Sequence, residues 1–346
     1  MADDKTLLNR QWLLAARPQG KLKLGDFEYR ETPFAIPDLE PGEILLNNRV
    51  FACAPTMRNF MNPPGRSYRA SVPLGTPVTG VVGAEVIASN NPDYPVGTQV
   101  NTVARWEDYS LLNPAKTEVP VYPIEGDIDL MEMMGPLSLN SLTAYYGLFG
   151  IGKPAPGETV VVSGAAGSVG TMACQFARIH GCRVIGIAGG PEKCAWLLDT
   201  LGVDGAIDYK GEDVSARLRE LCPDGVDVFF DNVGGEILDA VMENIAPRGR
   251  IAVCGQVSAY NSDDPAPGPR DMMKLVYWRV RIEGFVLGDF ADGVAAARQT
   301  IRQWFREGKL VARQDIRHGF AKLPESFLDL FEGANEGSLL VTAASD

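Results

Sequence analysis

Residues 157–193 read GETVVVSGAAGSVGTMACQFARIHGCRVIGIAGGPEK, and this stretch decides the fold. Its apolar, β-branched start, Thr159–Ser163, predicts a strand covered on both faces. Gly164, Gly167 and Gly170 follow at once, three apart, and open a predicted helix that runs to about His180. Glycine there lets backbone approach a ligand, and the helix start offers unpaired N–H donors and the positive end of a dipole. Such a turn suits an anion of the pyrophosphate kind. The spacing is neither G-x-G-x-x-G nor the phosphate-binding P-loop, since Val169 and Gly170 stand where the latter needs Gly and Lys.

The next predicted strand, Arg183–Ala188, ends on Gly189 and Gly190. A dinucleotide site for a free ribose 2′-hydroxyl places Asp or Glu at that point. Without the acid there is no partner for that hydroxyl and no charge to repel a 2′-phosphate. Lys193 adds a cation in the first helical turn. NADP(H) is therefore the expected cofactor. The alternative for Lys193 is a solvated helix residue whose charge Glu192 offsets.

Downstream, strand-like runs at Gly205–Asp208, Val226–Asp231 and 249–254 alternate with helical segments, the βαβ pattern of a doubly wound parallel sheet. Upstream, from Leu22 to about Tyr122, short β-like runs (GEILLNNRVFA, VTGVVGAEVIAS, GTQVNTVARWEDYSLL) are punctuated by Pro, Gly and Asn, as in a mostly β domain. A helix is expected over 294–305, and the final SLLVTAAS reads as a strand returning to the first domain. Two domains also follow from the length, because 346 residues exceed what one hydrophobic core usually supports.

Hydrophobic content of 45% and charged content of 22% are those of an ordinary globular chain. The net charge of −12, with no compensating Lys/Arg cluster, disfavours nucleic acid and anionic membrane surfaces. The six cysteines are scattered singly without a CxxC pair and read as reduced thiols. The N-terminal MADDKTLLNRQW lacks the pattern of a secretory leader, so a cytoplasmic location is expected. Prolines 265, 267 and 269 lie two apart, which offers no P-x-x-P register and suggests a stiff loop near the site entrance.

Taken together, TAYYGL, GKPAPGETVVVSGAAGSVG, GCRVIGIAGGPEK, AIDYK, FFDNVGGE and CGQVSAYN resemble the medium-chain dehydrogenase/reductase superfamily, in its zinc-free branch of prostaglandin, curcumin and alkenal double-bond reductases. The likeness spans nearly the whole chain. It implies a GroES-like, mostly β catalytic domain (1–126 and 309–346) around a Rossmann NADP-binding domain (127–308), and a homodimer. It also implies NADPH-dependent reduction of the C=C bond of α,β-unsaturated ketones or aldehydes. By the resemblance, Gly167, Ser168, Val169 and Gly170 form the pyrophosphate loop, and Lys193 and Tyr209 hold the 2′-phosphate beside Gly190. Further cofactor contacts fall on Asn232, on Cys254, Gly255 and Tyr260, on Phe285, Val286 and Leu287, and on Asn335. Ser338 stands where the family commonly has Lys.

Zinc-dependent members of the superfamily need Cys and His ligands. This chain has two histidines, and its GTPVTG puts Thr76 and Pro77 where zinc enzymes carry the His and acid of GHExxG, so no metal is expected. Conjugate reduction demands less than reduction of a simple ketone, because one or two hydrogen-bond donors hold the enolate. The resemblance points to Tyr277 as the donor to the enolate oxygen, with the nicotinamide ribose hydroxyl as a second donor, and to Tyr260 as a residue packed on the nicotinamide. For each tyrosine the alternative is a core or interface aromatic. Thr56 replaces a pocket tyrosine of many relatives, and Tyr68 matches another pocket-lining tyrosine or is an exposed loop residue. A quinone reductase of the same fold, and a non-catalytic NADPH sensor, stay open as readings.

Overall fold

The structure, a computed structural model, describes residues 7–65, 67–124, 126–262, 268–269 and 271–344. Residues 1–6, and all but 268–269 of the proline-rich 263–270, lie outside the described residues, and with them the stiff loop expected there.

In chain order the first strands are β1 (Leu7–Leu14), β2 (Phe27–Phe34), β3 (Ile44–Cys53), β4 (Thr79–Ser89), β5 (Gln99–Arg105), β6 (Tyr109–Leu112) and β7 (Tyr122–Pro123). There follow β8 (Thr159–Ser163), β9 (Arg183–Ala188), β10 (Gly205–Asp208), β11 (Val226–Asp231), β12 (Ile245–Val253) and β13 (Arg281–Gly284), and then β14 (Gln314–His318) and β15 (Ser338–Thr342). The chain divides into two compact units, 1–135 with 314–346, and 136–313.

The first unit is built on a sheet that is antiparallel except at its edge, where β14 runs parallel to β15. Its order is β14-β15-β3-β4-β5-β7, with β6 also paired to β3, while β1 and β2 form a separate antiparallel pair. The tail strand β15 lies antiparallel to β3, with Leu340 opposite Ala52. Alternation sends Phe51, Val82, Val86 and Val100 into one core around the fully buried Trp106. Phe327 meets Trp106 edge-on at 5.7 Å, and Phe320 meets Phe51 at 5.5 Å. Arg10 clamps Asp108 through two hydrogen bonds of 2.8 Å. That pair ties β1 to the turn before β6.

The second unit is a parallel sheet in the order β10-β9-β8-β11-β12-β13. Numbered along the chain this is 3-2-1-4-5-6, the arrangement of a dinucleotide-binding sheet. Val160, Val161 and Val162 are fully buried, as are Val184, Ile185 and Ile187, because helices cover both faces. β12 begins earlier than the expected 249. Its Pro247-Arg248-Gly249 reads as a turn, yet the strand passes through it with a register shift and with Arg248 at φ 66°. The helix Leu139–Tyr145, continuing as a π-helical segment Tyr146–Gly152, was not read from sequence, since Gly147, Gly150 and Gly152 blur the helical pattern. All six cysteines are unpaired thiols, four of them buried. Among the described residues no helix is long and apolar enough to cross a membrane.

Candidate functional site

The strand order of the parallel sheet reverses between β8 and β11, and ligands of open α/β sheets bind at the carboxyl ends of the strands flanking that point. β8 ends at Ser163, and Gly164 turns the chain at φ 59°. The helix Ser168–Ile179 starts immediately after, with Gly167 as an N-cap that supplies no side-chain hydrogen bond. Its first N–H groups, on Ser168, Val169 and Gly170, are left for a ligand. Packing explains the third glycine: a Cβ on Gly170 would lie 2.2 Å from the Gly164 carbonyl oxygen and 2.8 Å from Ala165 Cα. Gly170→Ala is accordingly expected to cost about 2 kcal/mol, read as a lower urea midpoint, since the loop and helix must separate.

β9 delivers the second corner. Gly190 lies at φ 96°, a conformation that favours glycine, with Pro191 opening the helix Pro191–Trp196. Lys193 is half-buried in the first turn of that helix. A Cβ on Gly189 would fall 2.9 Å from Tyr209 Oη and 3.0 Å from Lys210 Cε, so the side chains of Tyr209 and Lys210 lie over this glycine. An acid does reach this corner, from the neighbouring strand: Asp208, at the end of β10, accepts the Gly190 N–H at 2.7 Å and the Lys210 N–H at 3.0 Å. That oxygen is spent on backbone donors and bolts the two turns together. Asp208 and Lys210 were both missed in the sequence reading, although AIDYK carries them beside Tyr209.

The third corner joins β11 and β12. Asn232 donates its N–H to Ser163 Oγ at 2.8 Å and its side-chain amide to the Ser163 carbonyl at 2.7 Å. The N–H groups of Cys254 and Gly255 donate to the Asp231 carbonyl at 2.8 and 3.1 Å. Tyr260 folds back over this turn, its hydroxyl accepting the Gln256 N–H at 3.3 Å, and a Cβ on Gly255 would come within 3.0 Å of that hydroxyl. Burial, with the Asp231 charge added, pushes the Cys254 thiol up to about 12. Phe285, just past β13, meets Phe230 edge-on at 6.5 Å, with Val286 and Leu287 following it.

Tyr277 lies just before β13 in the chain. It ends the helix Met273–Tyr277, is 65% exposed, and lies among Met272, Met273, Val276 and Trp278, all exposed. Its hydroxyl makes no hydrogen bond among the described residues. Three of the expected residues belong to the other unit. Thr56 is half-buried at the start of the helix Met57–Phe60, and Tyr68, 62% exposed, meets Phe60 edge-on at 5.8 Å. Asn335 precedes β15 and donates its side-chain amide to the Gly337 carbonyl at 2.9 Å.

The glycine-lined turns, the uncapped helix start and the Lys193, Tyr209 and Lys210 corner fit a dinucleotide with a phosphorylated ribose. His180 Nε2 pairs with the Pro154 carbonyl at 3.1 Å, and His318 Nδ1 pairs with Thr342 Oγ1 at 3.0 Å. Among the described residues no three His, Cys, Asp or Glu side chains gather as a donor set.

Residues 10–119 match a family model described as the N-terminal domain of oxidoreductase, and residues 168–303 match one described as zinc-binding dehydrogenase. The chain is 34% identical to the NADPH-dependent curcumin reductase of Escherichia coli (strain K12), over 98% of each chain. It is 35% identical to the 2-alkenal reductase (NADP(+)-dependent) of Nicotiana tabacum, again over 98% of each. The structure of CurA from Vibrio vulnificus in complex with NADPH superimposes with a TM-score of 0.89 at 34% identity, covering 97% of this chain and 100% of that one. With that likeness running through both units, the chain belongs to the medium-chain dehydrogenase/reductase superfamily.

Proposed function

We propose that this protein is an NADPH-dependent reductase of the C=C bond of α,β-unsaturated ketones or aldehydes, and that it acts without zinc. The observation that carries the reading is the second corner: Gly189 and Gly190 in place of an acid, overlaid by Tyr209 and Lys210 and followed by Lys193. Relatives named curcumin reductase and 2-alkenal reductase support the substrate class.

When bound, NADPH would supply hydride to the β-carbon of the conjugated bond, and a proton taken up at the α-carbon would complete the saturated carbonyl product. The chain's own part begins with the start of the helix Ser168–Ile179, whose N–H groups and dipole hold the pyrophosphate. Lys193, Tyr209 and Lys210 neutralise and hydrogen-bond the 2′-phosphate. Tyr260 and Phe285 supply aromatic surface on the nicotinamide side. Tyr277 donates its hydroxyl to the substrate oxygen, where negative charge develops, and a positioned neutral donor there strengthens as the charge grows. Thr56 and Tyr68 line the substrate side, and Asn335 adds a contact from the tail. Following absorbance at 340 nm with NADPH and a panel of enones, quinones and simple ketones tests the proposal. Consumption with enones and recovery of the saturated carbonyl product supports it, whereas turnover confined to quinones, or binding without consumption, refutes it.

The same reading extends to assembly and location. β13 is the edge of the parallel sheet, and in the segment just before it in the chain Met272, Met273, Val276, Tyr277 and Trp278 are exposed. Exposed runs of this kind mark pairing surfaces, and an unpaired edge strand invites a second copy. A homodimer is expected by light scattering. Val276→Asp, which places a charge at the centre of the run, should yield monomers, and an unchanged mass would exclude this face. Six unpaired cysteines accord with a reducing, cytoplasmic setting.

A further inference from the structure

Three strand ends meet at one buried residue, Asp231. Asp231, 1% exposed at the end of β11, receives on a single oxygen, Oδ1, the Ser163 hydroxyl at 2.9 Å, the Val233 N–H at 3.0 Å and the Gly234 N–H at 2.9 Å. Its backbone carbonyl receives the N–H groups of Cys254 and Gly255 from the end of β12. Ser163 in turn, fully buried at the end of β8, receives the Asn232 N–H on its hydroxyl and the Asn232 side-chain amide on its carbonyl. The second carboxylate oxygen of Asp231 is buried without a hydrogen-bond partner among the described residues.

A carboxylate kept out of water with one oxygen unsatisfied is costly, and apolar packing between β8 and β11 would hold these strands together at lower cost. What the carboxylate adds is geometry. It fixes the turn at Asn232 through Ser163 and receives the N–H of Gly234, which lies at φ 69°, while the backbone carbonyls of Asp231, Asn232 and Val233 receive the N–H groups of Cys254, Gly255, Val257 and Ser258 and register the Gly255 and Tyr260 turn against it. In a doubly wound sheet the strands after the reversal serve the second mononucleotide half of the ligand, while β9 and β10 serve the adenosine half.

We propose that Asp231, braced by Ser163, is a positioning residue for the nicotinamide half of the cofactor. This rests on the dinucleotide reading above. The residue touches no substrate; it acts through Asn232, Gly255 and Tyr260. Its effect is therefore confined to one half of the ligand, which a merely structural role would not produce.

The test compares dissociation constants for NADPH and for adenosine 2′-phosphate, which lacks both the pyrophosphate and the nicotinamide, in wild type, Ser163→Ala, Asp231→Ala and Asp231→Asn, each with its thermal midpoint. Ser163→Ala and Asp231→Ala should weaken NADPH roughly tenfold, the size of one lost charge-assisted hydrogen bond. Adenosine 2′-phosphate should hold within about twofold on the same scale. Asp231→Asn keeps the accepting oxygen and should restore most of the NADPH affinity. Parallel weakening of both ligands, or unchanged NADPH affinity in Ser163→Ala, would overturn the proposal; Ser163→Ala decides the matter should Asp231→Ala fail to fold. Wild-type protein that binds adenosine 2′-phosphate no better than adenosine would instead refute the cofactor assignment itself.

Discussion

Tyr277→Phe is expected to lower enone turnover by roughly 10²-fold, the usual loss when one donor to a developing oxyanion is removed. NADPH affinity should stay unchanged, because the Tyr277 hydroxyl is proposed to face the substrate oxygen rather than the cofactor. The substitution keeps the ring and with it the apolar surface shared with Met273, Val276 and Trp278, so assembly is left intact. Steady-state kinetics beside a fluorescence titration of NADPH separate the two quantities. Unchanged turnover would move the donor elsewhere, with the Tyr260 hydroxyl at the Cys254–Gly255 turn as the next candidate.

Lys193→Ala should weaken NADPH by about 2 kcal/mol, roughly 30-fold, as expected for a hydrogen bond to a charged group. NADH, which carries no 2′-phosphate, should change by less than about twofold on the same reasoning. The preference for NADPH then falls by nearly the whole factor. Added salt should narrow the gap in the wild type, because the corner is half-exposed and screened. Equal losses for both cofactors would make Lys193 a structural residue of the helix Pro191–Trp196. Lys210 and Tyr209, which overlie Gly189, account for the preference that survives the substitution.

The parallel unit was largely legible because its signals are local. β8, β9, β10 and β11 are short apolar runs bounded by glycine or aspartate, and the helix after Gly167 shows one apolar face. What escaped depends on partners distant in sequence. β1 carries Asn9, Arg10 and Gln11 in its middle and becomes a strand only by pairing with β2, and β14, QDIRH, becomes one by lying against β15. β12 runs through a proline and a glycine because β11 and β13 hold it on both sides. In the site, the glycines and Lys193 announce themselves by spacing. Asp208 does not, since its role arises from a neighbouring strand placing its carboxylate against Gly190. Ser163 and Asp231 lie 68 positions apart and meet only because the strand order reverses between them.

The state of the thiols has a bearing on survival during turnover. Conjugated carbonyl compounds are electrophiles that alkylate thiolates, so the proposed substrates would attack any ionised cysteine of the protein that handles them. Burial pushes Cys53, Cys174 and Cys254 up to about 12 and Cys182 and Cys222 up to about 11, and raises Cys194 as well. At neutral pH these thiols therefore stay protonated. Thiols held in their protonated form are poor nucleophiles, so the proposed substrates would find little thiolate to alkylate in the chain that reduces them.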